Sequence, residues 1–141
     1  MAAMPIAFSS EWVQAWAEAL NASPEYRAAA SSWEGTVAAT VTDPPALEPE
    51  GAVFLDLHRG ECRAARVASP GDLADATFVL DGPPSAWREL LAGQASALTA
   101  LMSGRIRLRR GQLAALLPHA GSARELVRLA TRVSTEFPAH W

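Results

Sequence analysis

The chain has 141 residues, 50% of them hydrophobic and 19% charged, and its net charge is −3 with all 12 basic residues arginine. That length suits one domain able to bury roughly two-thirds of the surface its unfolded chain exposes. The charge balance excludes a general nucleic-acid binder, which needs a basic stripe and net positive charge, and the lone cysteine, Cys62, excludes an internal disulfide and a thiolate zinc site. Residues 1–8 show no positively charged region or long apolar run, and no stretch approaches the roughly 18 apolar residues of a membrane span. A soluble cytoplasmic protein is expected, one domain over 1–141 with a helical segment over 1–31.

Ser9 or Ser10 caps a first helix to Asn21, with Trp12, Val13, Trp16 and Leu20 at helical spacing on one face. Ser23-Pro24-Glu25 starts a second, ending near Ala30. From Glu34 the pattern changes, and the β-branched run 36–42 reads as a strand stopped by Asp43-Pro44-Pro45. A linker-like loop over 43–50 leads to 51–58, whose alternation puts Val53, Leu55 and Leu57 on one face. Arg59-Gly60 turns the chain into a hairpin partner over 61–67. Ser69-Pro70-Gly71-Asp72 reads as another turn, feeding a strand over 75–80 and completing a meander.

Pro83-Pro84-Ser85 then starts a helix with Trp87, Leu90 and Leu91, ended by Gly93. A helix over 95–103 places Leu98, Leu101 and Met102 on one side, and Gly104 stops it. Residues 105–109 alternate as a short strand, and Gly111 opens a helix that Pro118 interrupts. Ser122 caps a last helix whose apolar side carries Leu126, Val127, Leu129, Ala130 and Val133. The order predicts an α+β fold: a five-stranded, mostly antiparallel sheet covered by helices on one side.

From Trp33 to Val133 the chain resembles the sterol-carrier-protein type 2 lipid-binding family. The resemblance rests on Trp33-Glu34-Gly35, the hairpin turn at Gly60, and the 75–81 strand followed by Ser85-Ala86-Trp87. It rests also on the Leu90-Leu91-Ala92-Gly93 helix end and the step from Ala100 through Gly104 to Leu108. It implies an apolar tunnel between sheet and helices that takes fatty acids, acyl-CoA, sterol-like or isoprenoid lipids, with no catalytic residue and no cofactor. Where family members often place glycine and an acidic residue or asparagine after the last strand, this chain has Arg110-Gly111-Gln112. From Pro118 onward the match is weak.

On this reading the lipid-binding residues are Phe78, Leu80, Trp87, Leu91, Leu101, Met102, Ile106, Leu108, Leu116 and Leu117. The same residues at the same spacing also fit an ordinary filled core, and with it a structural or regulatory module acting through its surface. Arg105, Arg107 and Arg109 line one face of the last strand, suited to lipid headgroups in transient membrane contact or to a solvated sheet face. The best constellation for chemistry is Asp56, His58 and Cys62 about the hairpin, a Cys–His pairing that could make a nucleophile and its base. His119 and His140 are not spaced for a metal. The expected partner is a small apolar ligand, with pairing of two chains left open.

Overall fold

A computed structural model describes residues 4–42, 51–138 and 141. The loop expected over 43–50 and His140 lie outside the described residues. In chain order the elements are α1 (Ser10–Asn21), α2 (Pro24–Ala29), β1 (Glu34–Val41), β2 (Ala52–His58), β3 (Glu61–Val67), α3 (Pro70–Asp75) and β4 (Phe78–Gly82). There follow α4 (Pro84–Leu91), α5 (Ala97–Met102), β5 (Arg107–Arg110), α6 (Leu113–Leu116), a 3-10 turn (Leu117–His119) and α7 (Ala120–Arg132). Serine hydroxyls start several helices: Ser9, Ser23 and Ser96 accept from the backbone N–H three residues on.

The sheet order is β3-β2-β1-β4-β5, with β1 and β4 parallel and the other neighbours antiparallel. The expected meander is therefore corrected. The Arg59–Gly60 turn, both residues at positive φ, does bind β2 to β3, but β4 crosses back to pair with β1. Its composition explains the move. Phe78, Val79, Asp81 and Gly82 are all buried, which suits a strand inside the sheet and not one added at the edge beyond β3, where Glu61, Arg63 and Arg66 alternate outward. Gly60 is required in the turn, since its φ is +86° and a Cβ there would meet the Arg27 Cα and carbonyl oxygen at 2.7 Å.

A second correction lies at residues 69–72. Instead of a turn, Ser69 and Asp72 close a reciprocal capping box that starts α3, so β4 begins at Phe78. Helix α3 packs on the face of the sheet opposite the other helices, where Ala38, Phe54, Ala76 and Val79 form a small second core. The Arg66 guanidinium, held by Asp72 at 2.7 Å, lies over the Phe54 ring. Both faces of the central strands are thus covered, and the helices are not confined to one side.

The main core lies between the sheet and the remaining helices. Register puts Leu57, Leu55 and Val53 of β2 beside Gly35, Val37 and Ala39 of β1, and the latter two beside Phe78 and Leu80 of β4. From the helical side come Trp12, Trp16 and Leu20 of α1, Tyr26 of α2, Trp87, Leu90 and Leu91 of α4, and Leu129 and Ala130 of α7. Ala39, in the middle of this face, reaches less far than Leu55, Leu57 or Phe78. Over it the helices do not close fully on the sheet.

Candidate functional site

The space left there is a cavity of about 110 Å³ between the sheet and helices α1, α4, α5 and α7. Its floor is Val37, Ala39, Leu57, Phe78 and Leu80; its roof is formed mainly by tryptophans and leucines. An adjoining apolar groove of about 380 Å³ runs between α5, α6 and α7, lined by Leu98, Leu113, Leu117, Ala120, Arg124 and Arg128 among others. Leu90, Ala97, Leu101, Leu116, Ala123 and Val127 line both and form the wall they share. The inner cavity alone is smaller than the ~150 Å³ cavity that can hold a benzene ring, whereas the groove reaches the ~300–1,000 Å³ of small-molecule sites.

Several sequence elements hold the roof in place. Phe8 sits at φ +66°, a region large residues rarely occupy. It is held there by stacking on Trp12 at 5.2 Å, by the edge of Trp87 at 5.3 Å, and by the bridge of Ile6 to Glu136. Trp87 donates its indole N–H to the Thr40 carbonyl at 2.9 Å, tying α4 to β1. On the floor, Gly111 has φ +89°, and a Cβ there would overlap the Phe78 ring. The Arg110-Gly111-Gln112 step after β5 thus lets the chain pass close to a cavity residue.

Of the ten residues named from sequence, Phe78, Leu80, Trp87, Leu91, Leu101, Ile106 and Leu116 line the inner cavity. Leu101, Leu116 and Leu117 line the groove. Leu108 packs against the core beside Leu80 without lining either. Met102 is 72% exposed and lines neither. The helical repeat gives the reason: neighbours on α5 are turned by about 100°, so with Ala97 and Leu101 facing the cavity, Met102 and Leu98 cannot share their side.

Lining residues not named from sequence come mostly from the two ends of the chain: Phe8, Trp12 and Trp16, and His119, Ser122, Ala123, Leu126 and Val127. The apolar periodicity of α1 and α7 marked several as inward-facing, but periodicity cannot tell which inward face has space beside it. The sequence marks Ser122 as a helix cap. It lies instead inside the first turn of α7, which begins at Ala120 with no side-chain cap, and its buried side chain faces the cavity.

The hairpin constellation does not assemble. Cys62 pairs across the sheet with Leu57 on the core face, while Asp56 and His58 are on the other face. Burial pushes the Cys62 thiol up to about 11, and its Sγ is engaged with the Ala64 carbonyl. Asp56 pairs with Arg63 at 3.3 Å and His58 lies 3.9 Å from Glu34. Cys62 therefore has no adjacent base and little thiolate. Among the described residues no group of His, Cys, Asp and Glu is arranged to hold a metal ion, and no helix is long and apolar enough to cross a membrane.

The arginines near β5 are largely committed. Arg105 pairs with Glu89 at 2.9 Å, Arg109 with the buried Asp81 at 2.5 Å, and Arg110 bonds the carbonyls of Ala74 and Ala76. Arg107 has no ion pair among the described residues.

A sequence model described as the SCP-2 sterol transfer family matches residues 16–111, more than half of the chain. The fold is similar to the crystal structure of a sterol carrier protein 2, at 44% identity and TM-score 0.81, over 90% of this chain and 98% of that one. It is equally similar, with TM-score 0.81 and 41% identity, to the solution structure of a conserved hypothetical protein from Thermus thermophilus, covering 96% of this chain and 94% of that one. Sterol carrier protein 2 from Yarrowia lipolytica, in its apo form, shares the fold at 15% identity and TM-score 0.58, over 84% and 88% of the two chains. No curated protein matches the sequence.

Proposed function

Since the chain belongs to the SCP-2 sterol transfer family, we propose that it is a non-enzymatic carrier whose cargo, a fatty acyl, isoprenoid or sterol-like molecule, passes from the outer groove into the inner cavity. The observation that carries this reading is the pair of adjoining apolar spaces with no carboxylate or guanidinium in the lining of the inner one. Such a lining offers a hydrocarbon chain about 0.8 kcal/mol per buried methylene. A 16-carbon chain, taken as an example, gains on the order of 10 kcal/mol before ordering and association costs, leaving an affinity from which cargo is still released.

The shared wall is the natural gate, with Leu101 and Leu116 its largest side chains beside Leu90. Loading and unloading fall at the groove, where Leu98 and Leu117 are 42% and 51% exposed and can meet acyl chains at a membrane surface. The small inner volume supports a second reading, a filled fold working through a protein partner.

Solvent extraction of gently purified protein, followed by mass spectrometry beside a denatured control, separates the two. A stoichiometric acyl, isoprenoid or sterol-like species is expected. An empty extract together with no uptake from a lipid panel would overturn the carrier reading.

A further inference from the structure

Four tryptophans line the inner cavity, and their indole N–H groups are not treated alike. Trp12 donates to the Thr135 hydroxyl at 3.0 Å, Trp16 to the Leu126 carbonyl at 3.0 Å and Trp87 to the Thr40 carbonyl at 2.9 Å. Trp33 Nε1 is buried with no hydrogen-bond partner among the described residues. Buried donors are nearly always partnered, so an orphan calls for an explanation.

Around Trp33 the cavity changes character. Its ring meets His119 edge-on, centroids 4.9 Å apart, and one turn further along α7 is Ser122, 6% exposed and also in the lining. Tyr26 adjoins the same corner: burial above all, then Cys62, pushes its phenol well above the ordinary range, while hydrogen bonding with the Ser122 hydroxyl acts in the opposite direction. The otherwise hydrocarbon wall thus carries a hydroxyl and an imidazole beside an unsatisfied indole donor. No charged side chain stands in that lining; the cations nearest in the site, Arg124 and Arg128, are in the outer groove.

We propose that Trp33, His119 and Ser122 form a subsite for one neutral oxygen, a hydroxyl or carbonyl, at the end of an apolar ligand that enters oxygen first. This rests on the carrier reading and adds an orientation and a selectivity to it. A carbonyl accepts from Trp33 and Ser122; a hydroxyl can accept from Trp33 and donate in turn, since a serine hydroxyl serves in either sense. An ionised carboxylate would be buried in this corner with no arginine beside it, which is unfavourable. Anionic lipids therefore enter tail first and leave their headgroup in the groove, where Arg124 stands near Arg128, itself paired with Glu125 at 2.6 Å.

The test is competition by octanol, octanoate and octene against a fluorescent lipid probe, on the full chain and on Trp33→Phe and Ser122→Ala. Octanol is expected to bind about tenfold more tightly than octene, the worth of one net hydrogen bond. Each variant should close most of the gap between octanol and octene, whatever loss of lining area it costs all three ligands alike. Trp33→Phe keeps an aromatic ring and Ser122→Ala keeps the backbone helical, and thermal melts of both identify a misfolded variant, the other then giving the answer. Equal binding of octanol and octene by the wild type would overturn the proposal, the Trp33 donor then being met by trapped water. So would an equal loss for all three ligands in the variants. If the protein binds none of these and takes up no lipid, the carrier reading itself fails and the subsite with it.

Discussion

Leu101 stands between the inner cavity and the outer groove, so truncating it should lengthen the ligand the protein prefers. Leu101→Ala removes three carbon groups from the shared wall. The side chain is only partly buried, so the stability cost should fall below the roughly 2–5 kcal/mol of fully buried leucines, at about 1–2 kcal/mol. The freed space admits about three further methylenes, each contributing up to ~0.8 kcal/mol. A little over half of that, after ordering costs, is about tenfold in affinity for the longer chain. Competition by a series of saturated acyl chains of increasing length reads the optimum directly, and urea unfolding of the same samples reads the stability. The optimum should move up by about three carbons, whereas Leu101→Trp should move it down. An unchanged optimum, or an equal loss of affinity at every length, would show that this wall does not limit the ligand.

Gly60→Ala should lower stability by roughly 1–3 kcal/mol, because the turn needs positive φ and the added Cβ meets the Arg27 backbone at 2.7 Å; chemical denaturation measures it. Gly111→Ala should also destabilise and, by displacing the Phe78 ring, weaken lipid uptake beyond the effect of Gly60→Ala. The Cys62 thiol is raised from 9.0 to about 11 by burial, so the folded state holds its proton where the unfolded chain has lost it. Stability from this residue is full below pH 9 and declines as pH rises toward 11, by about 2–3 kcal/mol in total. Cys62→Ala should flatten that decline in unfolding curves, and in the wild type Cys62 should resist alkylation at pH 8 until denatured.

Local patterns in the sequence carried much of this fold. Alternation in β2 pointed Val53, Leu55 and Leu57 into the core, where they are buried, and the Arg59-Gly60 pair set the hairpin. What failed was pairing at long range and the distinction between similar local signals. Ser69-Pro70-Gly71-Asp72 has turn residues throughout, yet the serine-to-aspartate spacing is that of a capping box, and it starts a helix. The place of β4 depended on which edge could bury both of its faces, a property of the assembled sheet. For the cavity, seven of its residues were read from apolar spacing and the family resemblance together. Its polar corner was hidden because Ser122 looked like a cap and Trp33 like the opening of a strand. No one-dimensional pattern reports that a donor will end without a partner.

Placing α3 behind the sheet gives the two boundaries of the cavity unequal stiffness. Beneath β1 and β4, Phe54 and Val79 are clamped by α3 and Arg66, so the floor is a laminate secured from both sides and joined by a hydrogen-bond ladder. The roof is a set of separate short rods, two of them, α5 and α6, only six and four residues long. On the carrier reading, a guest larger than the resting volume would lift rods and leave the laminate flat, so that different cargoes would share one floor beneath differently splayed roofs.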